Sequence, residues 1–267
     1  MDDFQITVHQ KDALEMNNTA VSLIASGHID QAVQMLSSSL RIYRRLILLS
    51  PKDVTNRTQE CNGPESQRCD TVRGGECNSS LSLDQHLADG LSDYYNKSPP
   101  LLPLASESDA TGLDFVYTRG IKIATSHCRM QKPHRGFLLT HTTIVVFNLA
   151  LANHVSTANR HLIKSSGTPN LVRAMKLYEL ALEMQGGELN EGNTLFTIVA
   201  LNNMGVIQKE ISRSQQKNRA NRHFEWLLTI LMTLPSDLQE SQEGLLEGVF
   251  RNAMSVLVGP SFFALAA

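Results

Sequence analysis

Residues 13–49 read ALEMNNTAVSLIASGHIDQAVQMLSSSLRIYRRLILL and decide the fold. Apolar residues recur at helical spacing over 13–24, and Gly27 then interrupts the pattern. A second run, over 29–49, has the i, i+3, i+4, i+7 rhythm of a helix with one buried face. It stops before Pro51, because proline disfavours helix in the residue that precedes it. Two amphipathic helices with so short a joint must lie antiparallel, so this stretch predicts a helical hairpin.

The chain divides into three parts that differ in composition. Residues 1–52 hold the hairpin, and residues 53–112 are acidic and rich in Ser, Gly and Pro. A segment with so little apolar material cannot offset the entropy of ordering, so it is predicted to be a flexible insert. Residues 113–267 return to periodic apolar patterns and are predicted to form a second structured block.

Within the second block the patterns predict five helices after an irregular start. Alternating apolar residues over 113–123 indicate either one or two short strands or an extended segment packed on helices. The helical patterns cover 142–164, 168–184, 193–211, 220–231 and 236–253. Ser236 and Gln239 resemble a capping box at the start of the last helix. The apolar tail, 256–267, is expected to fold back as a cap.

The helices come in pairs that share the placement of small residues. A helix that is crossed closely by its neighbour needs Gly or Ala at the contact, because a larger side chain would hold the axes apart. In the first pair these positions and their large partners follow offsets 0, 3, 7, 12, 16 and 19, at Ala20, Leu23, Gly27, Ala32, Leu36 and Ser39. Similar orders recur, with insertions, at Ala150, Ala174, Tyr178 and Ala181, and at Gly205, Ala220, Phe224 and Leu227.

This order of residues resembles a divergent tetratricopeptide repeat, whose unit is about 34 residues. The resemblance implies an all-α fold of stacked antiparallel hairpins, an α-solenoid, with a capping helix. The alternative is a helical bundle without repeats, in which Ala at contact positions is also common. The single tryptophan, Trp226, lies in a second helix of a pair rather than in a first helix, which departs from the family pattern.

The resemblance also implies a groove lined by the first helix of each pair, where Asn side chains bind the backbone of a peptide. The residues at matching positions are Asn17, Asn148, Asn153 and Asn202, with Lys209 and Arg213 as basic neighbours. The full set of Lys, Asn and Arg with which some members clamp a peptide carboxylate is not present. A protein or peptide segment is therefore the expected partner.

Composition and motifs weigh against other classes of function. The net charge of −2 gives no electrostatic case for nucleic acid. The start of the chain lacks the features of a secretory signal, and no membrane span is read from the apolar runs, so an intracellular protein, cytoplasmic or nuclear, is expected. Neither a nucleophile motif nor a phosphate loop occurs, and the histidines do not have metal-ligand spacing. No cofactor, metal or catalytic residue is expected.

The sequence therefore predicts a non-catalytic interaction scaffold that binds a peptide or protein segment in a helical groove. Two other functions are weighed beside it. One is a structural subunit of a complex that uses broad helical faces, and the other is an enzyme of unrecognised helical type.

Overall fold

The computed structural model describes residues 3–50, 116–123, 135–160, 168–186, 193–214 and 221–258. All regular secondary structure within these ranges is α-helix, so the all-α prediction is confirmed. The predicted insert, 53–112, lies outside the described residues, as do Ala220 and the end of the tail, 259–267.

The described ranges contain eight helices. We number them α1 to α8: Asp3–Ala25, Ile29–Leu49, Arg135–Arg160, Thr168–Met184, Thr194–Ser214, Arg222–Leu231, Ser236–Ser241 and Glu243–Val258. Between α1 and α2 the chain turns at Gly27, whose φ of 80° lies in the left-handed region that favours glycine. The N–H of His28 closes this turn by donating to the carbonyl of Leu23 at 2.9 Å.

Each helix from α1 to α5 packs against the next one along the chain, and α8 packs against α5, α6 and α7. The small residues predicted at the helix contacts lie inside this stack. Ala20, Ala32, Ala150 and Ala174 are all fully buried. Sequential packing around small contact residues gives the chain a helical repeat-like architecture.

The crossing of α5 and α6 depends on the smallest of these residues. Gly205 of α5 faces the ring of Phe224 of α6, and a Cβ at position 205 would overlap that ring. Asn221 holds the start of α6 at the same place, because its side-chain amide donates to the carbonyl of Gly205 at 2.7 Å. At this crossing the backbone of α5 therefore lies directly against the ring of Phe224.

Replacing Gly205 with alanine should lower the free energy of unfolding by about 1–3 kcal/mol, the usual cost of overpacking a filled core. The measurement is a urea unfolding curve for each chain. Gly244→Ala is the control, since Gly244 lies exposed in α8 and alanine there should be neutral or stabilising by up to about 1 kcal/mol. Equal midpoints for the Gly205→Ala chain and the wild type would contradict the close crossing.

Two of the predicted helices need correction. Helix α3 begins at Arg135 instead of residue 142, because Leu138 and His141 are buried and extend the apolar face by two turns. The last predicted helix, 236–253, is two helices, with a turn at Gln242 between α7 and α8.

The predicted capping box at Ser236 and Gln239 is wrong. The residue at the N-cap of α7 is Pro235, and no side chain caps this helix. Ser236 is instead the first helical residue, while the amide of Gln239 donates back to the carbonyl of Leu234 at 3.0 Å. The helix therefore begins one residue earlier than the box requires.

One described stretch of helix, Arg135–Thr157 in α3, is long and apolar enough to cross a membrane. In its most apolar window, 78% of the residues are buried inside the molecule. Central core helices share this composition, because they are covered by other helices on all sides.

Candidate functional site

Residues 116–123 form a segment without helix or strand that lies among α1, α3 and α5. Tyr117, Ile121 and Ile123 are buried within the core, whereas Thr118 and Lys122 are exposed. Such alternation is expected of an extended chain, in which successive side chains point to opposite sides. The sequence predicted either short strands or an extended segment packed on helices for this region, and over residues 116–123 the structure shows the second.

Three asparagines bind this segment by its backbone alone. In each case the side-chain oxygen accepts from the N–H of one residue, and the side-chain nitrogen donates to the C=O of the same residue. The pairs and their two distances are Asn203 with Tyr117 (2.9 and 2.9 Å), Asn148 with Ile121 (2.7 and 2.8 Å) and Asn18 with Ile123 (2.8 and 2.8 Å). We call the surface that carries these residues the asparagine groove.

Only an extended residue turns its N–H and its C=O to the same side, as it does in a sheet. An amide side chain offers one acceptor and two donor hydrogens, so it fits this pair of backbone groups as a neighbouring strand would. Because Asn148 and Asn203 are fully buried, each bond satisfies backbone groups that water does not reach. The groove thus holds residues 116–123 as a neighbouring strand would, with side chains in place of the strand.

The three asparagines occupy equivalent places in their helices. Each stands two residues before the small residue of a helix crossing: Asn18 before Ala20, Asn148 before Ala150, and Asn203 before Gly205. Since the small residue fixes how each helix is turned towards its neighbour, the residue two places earlier points the same way in all three. This Asn-x-small pattern is the sequence signal that identifies Asn18 and Asn203, which were not among the predicted site residues.

Two of the predicted asparagines support the groove from beside it. Asn17 donates to the carbonyl of Ile121 at 3.2 Å and accepts from Asn148 at 2.8 Å. Asn202 donates to the side chain of Asn203 at 3.3 Å and accepts from Asn252 of α8 at 2.7 Å. Asn17 therefore contacts the segment itself, while Asn202 connects the groove to the last helix.

The other predicted residues lie further from the segment. The amide of Asn153 donates to the carbonyl of Leu149 in its own helix at 2.7 Å. Lys209, half-buried, and Arg213, exposed, follow Asn203 on α5. At a helical rise of about 1.5 Å per residue, they stand roughly 9 and 15 Å beyond it along the axis.

Aromatic rings form the floor beneath the segment. The ring of Phe147 lies 6.3 Å from that of Tyr117, 5.4 Å from that of Tyr178 and 5.1 Å from that of Phe196, measured between centroids. Asn203 also donates to the hydroxyl of Tyr178 at 3.0 Å. Burial raises the pKa of Tyr117 and of Tyr178 well above the usual range, so both phenols stay neutral.

His154 lies next to this floor and makes an edge-on contact with Tyr178, with ring centroids 6.4 Å apart. Burial lowers the pKa of His154 to about 4 from an ordinary value of 6.5. The unfolded chain therefore takes up a proton at this residue below pH 6.5, while the folded chain does not until the pH approaches 4. The contribution of His154 to the free energy of unfolding is therefore complete above pH 6.5 and is lost as the pH falls from 6.5 towards 4.

Lowering the pH from 7 to 5 should cost the wild type about 2 kcal/mol through His154 alone. Urea unfolding curves at the two pH values give this difference, and His154→Gln should remove most of it. His9→Gln is the control, since His9 is exposed. If the wild type and His154→Gln lose the same amount of stability, His154 is not buried as a neutral ring.

Over the described ranges, none of the Asp, Glu, Lys and Arg side chains is buried, and no three His, Cys, Asp or Glu side chains come together as a metal site requires. The buried polar groups at this site are amides, hydroxyls and the neutral ring of His154. Comparison with known proteins adds no family to this description: no protein-family model, no curated protein and no solved structure matches the chain.

Proposed function

We propose that this chain is a tetratricopeptide-like, non-catalytic scaffold whose asparagine groove binds an extended polypeptide segment. The observation that carries the proposal is the paired contact of Asn18, Asn148 and Asn203 with the N–H and C=O of single residues. The segment found there is residues 116–123 of the same chain.

The chemistry of these contacts favours a polypeptide over other ligands. An amide that bonds to both backbone groups of one residue matches the spacing of a peptide unit, and the match recurs on three helices. Recognition of an extended chain by backbone hydrogen bonds, with side-chain pockets at intervals, is an established mode of peptide binding.

Binding of a separate peptide tests the proposal most simply. The probe is a fluorescein-labelled synthetic peptide with the sequence of residues 114–125. The receptor is the full chain carrying Ile121→Asp and Ile123→Asp, which we call the opened chain. Its own segment should leave the groove, because both side chains are buried and a buried unpaired carboxylate is costly.

The probe should bind the opened chain, and the anisotropy signal should be lost when Asn148→Ala and Asn203→Ala are added. Asn153→Ala in the opened chain is the matched control, because the Asn153 side chain bonds within its own helix, to the carbonyl of Leu149, and binding should remain. Binding should change little between low and high salt, since the contacts are between neutral groups. Binding that is indifferent to Asn148 and Asn203 would refute the proposed groove.

A further inference from the structure

The chain carries both a groove and the segment that fills it, and the bonded residues are separated by 27, 86 and 105 positions in sequence. Asn17 and Asn18 of α1 bind Ile121 and Ile123 across 104 and 105 residues. The seven hydrogen bonds between the groove and the backbone of the segment involve none of the segment's side chains, so they do not distinguish one extended segment from another. Side chains must then decide which segments fit.

Resting on the proposed function, we infer that residues 116–123 act as an internal ligand, and that the partner is a protein segment of the same pattern. Numbered from Tyr117, that pattern is an aromatic residue at position 1, glycine at position 4, and aliphatic residues at positions 5 and 7. The partner must displace the internal segment in order to bind.

Positions 1, 5 and 7 follow from burial. The side chains of Tyr117, Ile121 and Ile123 are 5%, 1% and 1% exposed and belong to the main apolar core. No buried side chain of the described residues carries a charge that would pair with a charged ligand residue. These three positions therefore accept only uncharged, apolar side chains. Thr118 and Lys122 are exposed, so positions 2 and 6 are free to vary.

Position 4 follows from close contact with α1. A Cβ on Gly120 would lie 2.7 and 3.0 Å from the two methyl carbons of Val21. Valine in a helix is held in one strongly preferred rotamer, so these methyl groups cannot turn aside. Glycine is therefore required at position 4 as long as residue 21 is valine.

The internal segment should weaken the binding of every other peptide. A tethered ligand is present at a high effective concentration, and the apparent affinity for a separate ligand falls by the fraction of time that the groove is empty. The wild-type chain is thus expected to bind a partner less tightly than a chain whose own segment has been removed from the groove.

Two peptides and three chains test the inference. The labelled probe of residues 114–125 and its G120A form are titrated against the wild type, the opened chain and the opened chain with Val21→Ala. The wild type should bind the probe at least roughly tenfold more weakly than the opened chain. The G120A probe should bind the opened chain roughly tenfold more weakly than the original probe, and Val21→Ala should restore its binding.

Thr118→Asp with Lys122→Asp is the control for opening, because it adds carboxylates to the same segment at exposed positions. This chain should behave as the wild type does. If circular dichroism shows that the opened chain is unfolded, hydrogen exchange of the wild-type chain is measured in place of the titrations. Adding unlabelled peptide should then speed exchange at the amides of Ile121 and Ile123, which bond to Asn148 and Asn18.

The outcomes separate this inference from the proposed function. Equal binding of the two probes, or equal affinity of the wild type and the opened chain, would overturn the internal-ligand inference and leave a peptide groove. No binding to a folded opened chain, or unchanged exchange in the wild type, would make the segment a fixed part of the core and end both. If the chain forms a concentration-dependent dimer that the peptide dissociates, the groove is occupied by a second copy of the chain. That result would overturn the inference that the partner is a different protein.

Discussion

Replacing Phe147 with alanine is expected to lower the free energy of unfolding by about 3–5 kcal/mol, at the upper end for a core aromatic residue. Phe147 is fully buried in α3, and its ring contacts three other rings from the segment, from α4 and from α5. Removing the ring leaves a cavity where the segment, α3, α4 and α5 meet, and each of these parts is held by its other contacts, so the cavity should not collapse. Urea unfolding of the full chain measures the loss.

Phe250→Ala is the matched control for this prediction. Phe250 lies on α8 and is 45% exposed, so its removal should change stability by no more than about 1 kcal/mol. A second readout tests the connection to the segment, because loss of the contact with Tyr117 should speed hydrogen exchange over 116–123. If the two phenylalanine variants lose similar stability, Phe147 does not occupy the centre of the core.

Replacing Asn148 with alanine is the second large effect, with an expected loss of about 2–4 kcal/mol. Alanine cannot accept the N–H of Ile121, and a buried donor left without an acceptor costs about 1–3 kcal/mol. The bonds from Asn148 to the carbonyl of Ile121 and to the side chain of Asn17 are lost as well, at 2.8 Å each. The loss should appear in urea unfolding and in faster exchange of the Ile121 amide.

Asn153→Ala tests whether this loss comes from the segment or from the helix. Both residues are buried asparagines of α3, but the amide of Asn153 bonds to the carbonyl of Leu149 in the same helix and not to the segment 116–123. Its replacement leaves no donor of the segment without an acceptor, so the cost should be well below that of Asn148→Ala. Equal losses would mean that the backbone of residues 116–123 draws no support from Asn148.

The helices themselves could be read from the sequence because their evidence is local. The apolar stripe of α2 and the left-handed turn at Gly27 each depend on residues within a few positions of one another. The small residues at the helix contacts were also readable, as the burial of Ala32 and Ala174 shows. The predicted ends of helices were wrong where tertiary packing overrides local signals, as in the first two turns of α3.

The candidate site could be read only in part. Asn148 is the one asparagine of the three that both the sequence and the structure select. At the doublets Asn17-Asn18 and Asn202-Asn203, successive residues differ by about 100° around the helix, so the inward one depends on the register. Counting back from Ala20 and Gly205 gives that register. Where residues 116–123 pack has no local signal, because the bonds that hold them join residues 27, 86 and 105 positions apart.

The most direct test of the account is hydrogen exchange of single amides in the wild-type chain, measured by NMR. The amides of Tyr117, Ile121 and Ile123 donate to asparagine side chains, and they should exchange far more slowly than those of Thr118 and Lys122. Alternating protection along the segment would support its capture by Asn203, Asn148 and Asn18. Exchange at Ile121 and Ile123 as fast as at Lys122 would contradict it.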